Sequence, residues 1–347
     1  MQRVLQDNQN KTGPKLNIFI STILVFLIFG FSLFWGRYHI EPLELVQLFA
    51  IAPAEWLNSP EASVFYYIRL PRIFLAMTVG AALAAAGSLF QGMFRNPLVS
   101  PDILGVSSGC CLGAALGILL SRYSANPYLI QVLAFSFGIM AMAMAYGIAR
   151  LSRGEPVVML ILSGMVVGGF FSAALSFIKY AADPYEDLPA IVFWIMGGFY
   201  RANWEVLFNL LLVVIPCIAL LVLLAWKINI ISLGDEEASS LGINVRFLRL
   251  LLISVATLMV AACVSVSGTI GWVGLVVPHI ARMLVGPDHK FSLPMSILIG
   301  GGFVMLMDNL ARCLSSSEIP ISILTAAIGT PFFAYLLIKG RGNAWRQ

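Results

Sequence analysis

Ten mostly apolar stretches follow one another along this chain, at approximately 18–36, 72–94, 103–121, 128–149, 157–180, 204–226, 248–268, 274–286, 293–314 and 320–338. An α-helix rises about 1.5 Å per residue, so about 20 apolar residues cross the roughly 30 Å hydrocarbon core of a bilayer. Backbone polar groups find no water there, and a helix satisfies them within one segment. The pattern predicts an all-α integral membrane protein with ten transmembrane helices, the eighth of them short. Only 11% of the 347 residues are charged, against roughly 25% in soluble domains.

An even number of spans puts both termini on one side, and the Lys/Arg distribution chooses the side. With the N-terminus inside, the inner segments hold Arg3, Lys11, Lys15, Arg95, Arg150, Arg153, Lys227, Arg246, Arg249, Arg282, Lys290, Lys339, Arg341 and Arg346. The outer ones hold Arg37, Arg69, Arg72, Arg122, Lys179, Arg201 and Arg312. This bias predicts both termini in the cytoplasm and accounts for the net charge of +4 without a nucleic-acid partner. The run from Ile18 exceeds a signal-peptide core and is expected to be the first spanning helix.

No linker or low-complexity tract divides residues 1–347, so a single transmembrane domain is expected. The outer segment from Arg37 to Arg69 carries Pro42, Pro53 and Pro60 and suggests short surface helices. Residues 183–204 suggest an interfacial helix ending at a Gly-Gly break, with Trp194, Tyr200 and Trp204 at headgroup depth. Gly105, Gly109, Gly113 and Gly117 form a flat ridge for a neighbouring helix, and the glycines and alanines of 80–87 make the second span slim. Cysteines 110, 111, 217, 263 and 313 form no CxxC pair and read as small apolar residues.

Enzyme signatures are missing: no GxxxxGK[ST] phosphate loop, no HExxH, no local Ser/His/Asp signature. No metal or cofactor is expected. His279 and Arg282 share a helical face but lack a second catalytic partner, while His39 and His289 fall in polar loops and are expected to be solvated. Asp308 is an acid well inside a span, where charge is expensive. It can pair with Arg312 at i+4 or serve as a proton relay of a secondary transporter. Arg69 and Arg72 stand at the outer start of the second span against the positive-inside bias; they fit snorkelling to lipid phosphate or bidentate pairing with an acidic protein. Residues 232–249 read as two short cytoplasmic helices joined at Gly242, with Asp235, Glu236 and Glu237 at the first helix's positive end. FRNPLVSPDILG, residues 94–105, interrupts the apolar pattern with two prolines that hold a turn away from helix.

RLPRIFLAMTVGAALAAAGSLFQGMFRNPLVSPDILGVSSG, LGDEEASSLGINV, SGTIGWVGLVVPHIARMLVGPDHKFSLP and IPISILTAAIGTPFFAYLL appear in this order along most of the chain from residue 69. Together they resemble the FecCD/BtuC-like permeases of type II ABC importers, which take up ferric siderophores, haem and cobalamin. The resemblance implies the BtuC-like fold of ten spans with cytoplasmic termini in a bacterial or archaeal cytoplasmic membrane. It implies a homodimer of permeases, two copies of an ABC ATPase, and a periplasmic or lipid-anchored substrate-binding protein. The function it implies is import of a metal chelate, a ferric siderophore or haem, by alternating access, with cobalamin or an oxyanion such as molybdate as alternatives within the class.

Residue roles carried over by the resemblance are also specific. Asn96 and Leu98 match the family's cytoplasmic gate, and Pro156, Val157 and Val158 stand at its second constriction, where some relatives carry small hydroxyl residues. Arg69, Arg72 and Arg312 match arginines that dock the binding protein. Leu233, Gly234, Asp235, Glu236, Glu237, Leu241, Gly242 and Asn244 match the segment that engages the ATPase. Trp272 replaces a common Phe, and Met307 a common Ala.

Overall fold

The computed structural model describes residues 13–38, 40–48, 59–122, 124 and 126–339. His39 and Pro53 lie outside the described residues. In chain order the helices are α1 Pro14–Phe34, α2 Pro42–Leu48, α3 Pro60–Met93, α4 Val106–Ser121, α5 Leu129–Leu151, α6 Pro156–Ala181 and α7 Asp187–Ile195. They continue as α8 Trp204–Leu223, α9 Ala225–Ile231, α10 Asp235–Ser240, α11 Val245–Ser267, α12 Val273–Val285, α13 His289–Cys313 and α14 Ile321–Lys339. Among the described residues there is no strand. Seven of these helices, α1, α3, α5, α6, α8, α11 and α13, are long and apolar enough to cross a membrane. The apolar helices α4, α12 and residues 321–335 of α14 are shorter.

Helix α3 is the axis of the molecule, packed by α13, α12, α11 and α8. In its most apolar window 83% of residues are buried, against 11% for α1. Small residues permit this. A Cβ on Gly80 would strike the carbonyl of Gly300 on α13, and one on Gly87 would strike that of Gly274 on α12. Backbones therefore touch directly, the packing that lipid favours because it offers no hydrophobic drive between helices. The ridge of α4 works likewise: Gly109 and Gly113 abut the carbonyls of Phe137 and Leu133, and Gly117 abuts Ile130, all on α5.

Three segments differ from the sequence expectation. First, α3 begins at Pro60, about three turns before the expected start at 72. Ser59 caps it, its hydroxyl accepting from the Ala62 amide at 3.1 Å. A π-helical stretch, Val64–Arg69, precedes Pro71; its wider turn accommodates a residue that has no N–H to give. Second, the Trp194 side chain is packed inside the protein at 4% exposure rather than facing outward. Residues Met196 and Gly197 after α7 accept the amides of Ser322 and Ile321, which ties the end of α7 to the start of α14. Trp204 donates its indole N–H to the Tyr66 carbonyl at 2.8 Å. Third, the chain after Gly242 enters the long helix α11 rather than a second short one, because Asn244 caps it (Oδ1 to the Phe247 amide, 3.0 Å) and no Gly or Pro interrupts residues 245–267.

Candidate functional site

The two ends of α3 carry the groups singled out by the sequence. At the outer end, the early start of α3 places Arg69 and Arg72 more than two turns inside it, where both are buried. Arg69 donates to the carbonyls of Leu33 and Tyr38, both at 2.6 Å. These lie at and just beyond the C-terminal end of α1, the negative end of that helix. Arg72 forks between two acids. It bonds Asp308 through Nε at 3.0 Å and Nη2 at 2.8 Å, and Glu318 through Nη1 at 2.9 Å. Asp308 also accepts from Arg312 Nε at 3.1 Å, the i+4 pair of the sequence. Arg312 reaches Asn309, whose amide donates to Ser32 of α1 at 2.6 Å.

This network binds α1, α3, α13 and the loop after α13 into one block. Burying charge in a low-dielectric interior is tolerable only when each charge is paired and hydrogen-bonded. Asp308 is 1% exposed and faces two guanidinium groups. A proton relay gives up its charge in every cycle, and here that would leave Arg72 and Arg312 short of a counter-ion. The geometry is that of a structural lock. Glu318, in the loop, sits beside it. Burial alone would raise its carboxyl, but the hydrogen bond and charge of Arg72, with Arg37 and Arg312, hold it below the usual range.

At the inner end, α3 stops at Met93 and the chain turns through Arg95, which adopts φ +50°. Such a conformation is uncommon for a non-glycine residue. Asn96 stabilises the turn by accepting the Leu98 amide at 2.9 Å, as an Asx turn does. Leu98 itself points outward at 46% exposure, while Val99 is buried. The chain then makes a single 3-10 turn, Pro101–Leu104, and Gly105 at φ +77° opens α4. At the start of α6, Glu155 caps the helix through the Val158 amide at 2.7 Å. Val158 is exposed and Val157 packs on the core.

The coupling candidates lie beside this loop. Ser232 donates its hydroxyl to the Gly92 carbonyl at 3.1 Å. Gly234, at φ +147°, lies close to the Arg95 guanidinium and to the Glu237 carboxylate. Helix α10 then runs from Asp235 to Ser240 and ends in two bonds: the Gly242 amide to Ser239 O at 2.9 Å and the Ile243 amide to Ala238 O at 3.1 Å. With Gly242 at φ +78°, this is a Schellman stop. Ala238 is buried against Ile230 and Val245, while Leu233, Leu241, Glu236 and Glu237 face outward. Asp235 pairs with Arg249 at 2.6 Å. Pro156 joins this group, lining a cavity with Asp235 and Ser239.

The sequence reading missed His289. Expected to be solvated, it is 4% exposed. Its ring Nδ1 meets Asn229 Oδ1 at 2.9 Å, and Nε2 lies 3.4 Å from Ser88 O on α3. His289 and Ser232 thus fasten α13 and α9 to the inner end of α3. The neighbouring Asp288 and Lys290 concealed this, and Asn229 is 60 residues away. Arg282, on the same face of α12 as His279, donates to Gln91 on α3.

Residues 23–339 match the FecCD transport family. The chain is 42% identical to the molybdate import system permease of Haemophilus influenzae, over 95% of this chain and 97% of the relative. It is 41% identical to the cobalamin import system permease of Halobacterium salinarum, over 78% of this chain and 72% of that one. Among solved structures it resembles an ABC transporter in an inward-facing conformation, assigned to the metal-chelate type. There the TM-score is 0.84, with 41% identity over 94% of this chain and 99% of that one.

Proposed function

The chain belongs to the FecCD transport family, and from that premise we propose that the cargo it passes is a metal chelate, a ferric siderophore or haem. It is a multi-pass membrane permease subunit of an ABC importer, not itself a catalyst. Ten spans with both termini cytoplasmic fit the apolar pattern and the inward excess of Lys and Arg, in the cytoplasmic membrane of a bacterium or archaeon. Two copies of the permease, forming one transmembrane domain each, pair with two ATPase subunits and one external substrate-binding protein. The observation that carries this reading is a family match spanning almost the whole chain, including the RNPL turn and the LGDEEASSLGIN segment.

Asn96 and Leu98 form the cytoplasmic gate in this reading, with Pro156, Val157 and Val158 as its second element. Exposure of Leu98 on a monomer supports it, since an apolar side chain at a pore mouth excludes water by bulk. Leu233 to Glu237, Leu241, Gly242 and Asn244 engage the ATPase, and the Ser232 to Gly92 bond carries their movement to the turn. Arg69, Arg72 and Arg312 take part in docking the binding protein only if an incoming carboxylate exchanges with one already present; Glu318 is the most exposed partner in that network. Alternation requires differential contacts in the two states, and the inner end offers them.

A second reading of the cargo is a tetrahedral oxyanion, favoured by the near full-length likeness to a molybdate permease. Uptake into proteoliposomes, with the ATPase and binding protein supplied, separates the alternatives. Accumulation of ferric siderophore or haem that needs ATP and survives a protonophore is the expected result. Accumulation of molybdate alone selects the oxyanion. Uptake indifferent to ATP and abolished by the protonophore would instead make the protein a secondary transporter.

A further inference from the structure

Between the inner ends of α5 and α6 and the α10–α11 segment lies a cavity of about 390 Å³. Its charged lining is Arg150, Arg246 and Arg249 against the single acid Asp235. Asp235 engages Arg249 through Nη2 alone, at 2.6 Å. Arg249 is only 9% exposed, and its Nε is a buried donor with no partner among the described residues. That nitrogen has essentially no accessible surface, so Arg249 meets the cavity with the rest of its side chain. The first turn of α11, Val245 and Arg246, and Pro156 at the first position of α6 also line the cavity. Two positive helix ends therefore add to the field.

We propose that this cavity binds a phosphate group, with the guanidinium groups of Arg150, Arg246 and Arg249 as its donors. Guanidinium forks match the planar pairs of oxygens on a phosphate, and a singly charged phosphodiester would halve the lining's excess of two positive charges. An anionic phospholipid would supply it with its tail already in place. Leu250 on α11 lines the cavity, and Met144 and Ile148, within two turns of Arg150 on α5, are exposed apolar side chains that an acyl tail could cover. A bound phosphate would tie the inner ends of α5 and α6 to α10. The inference does not depend on which cargo is carried.

The test uses the full-length chain in nanodiscs of phosphatidylcholine with or without phosphatidylglycerol, with retained lipid counted by native mass spectrometry. Arg150→Gln combined with Arg246→Gln alters two exposed residues and leaves the Arg249 to Asp235 pair intact. The expected result is retained phosphatidylglycerol, weakened roughly 30-fold in the double variant. A parallel titration with inorganic phosphate, followed by phosphorus NMR, distinguishes the sources. Phosphate that competes with the lipid and is lost in the variant identifies the free anion as a ligand of the same site. Retention of neither, or retention unchanged in the variant, overturns the proposal and leaves the arginines to an acidic side chain of a cytoplasmic partner.

Discussion

The outer and inner ends of α3 hold comparable numbers of charged residues and use them in opposite ways. Outside, Arg69, Arg72 and Arg312 are buried, and Arg72 and Arg312 share Asp308. Inside, Arg95 sits on a positive-φ turn, Leu98 is exposed, and Arg249 keeps an unpartnered Nε. A saturated network has one arrangement and resists change. An end held by a few single hydrogen bonds can adopt another at modest cost, so the inner mouth is expected to rearrange more readily than the outer network. The contrast predicts that outer substitutions damage stability and inner ones damage coupling.

The largest effect should follow Asp308→Asn. Removing one partner of a buried ion pair costs about 3 to 5 kcal/mol, and this acid serves two guanidinium groups. Unfolding of the detergent-solubilised protein should shift accordingly, and Arg72→Gln added to Asp308→Asn should cost less than the sum of the two. Unaltered stability of the single variant would break the comparison at its outer side.

Next comes Gly242→Val. No atom lies within 4 Å of a Cβ at this position, so the variant is strained by its left-handed backbone alone, by about 1 to 2 kcal/mol. Attachment of the ATPase should weaken, and Gly242→Asn, which tolerates that conformation, should restore much of it. Equal behaviour of the two variants would remove the Schellman stop from the coupling account. Ser232→Ala is smaller in stability, about 1 kcal/mol, yet it should raise the ATP hydrolysed per substrate imported. A normal ratio would mean that the Gly92 contact does not carry the movement.

The smallest effect concerns pH. The folded-state pKa of Glu318 is depressed, so its contribution to stability is present above the unfolded value, about 4.3, and is lost as pH falls through the folded value. The wild-type unfolding temperature should therefore drop more steeply below about pH 4 than that of Glu318→Gln. Parallel curves would assign the lock to Asp308 alone.

Local features were legible in the sequence. The apolar runs, the glycine ridge of α4, the stop at Gly242 and the Asp308–Arg312 spacing depend on residues within a turn or two of one another. What escaped depends on distance along the chain. Arg72 and Asp308 are 236 residues apart, and only the direct packing of α3 on α13 unites them. The same holds for His289, buried by Asn229 and Ser88. Arg69 and Arg72 read as outward-facing because the helix start at Pro60 was hidden by the Val64–Arg69 π-turn, which has no periodic signature.

The central claim is that the inner mouth moves while the outer frame does not. Spin labels on Leu98→Cys, in a cysteine-free chain assembled with its ATPase, report the separation of the two Leu98 positions in each nucleotide state. The account predicts a short separation in the resting complex and a longer one in the state that opens the exit. A second pair, Ser315→Cys on each copy, should show a much smaller change than position 98. One unchanging separation at position 98 throughout active hydrolysis would contradict the account.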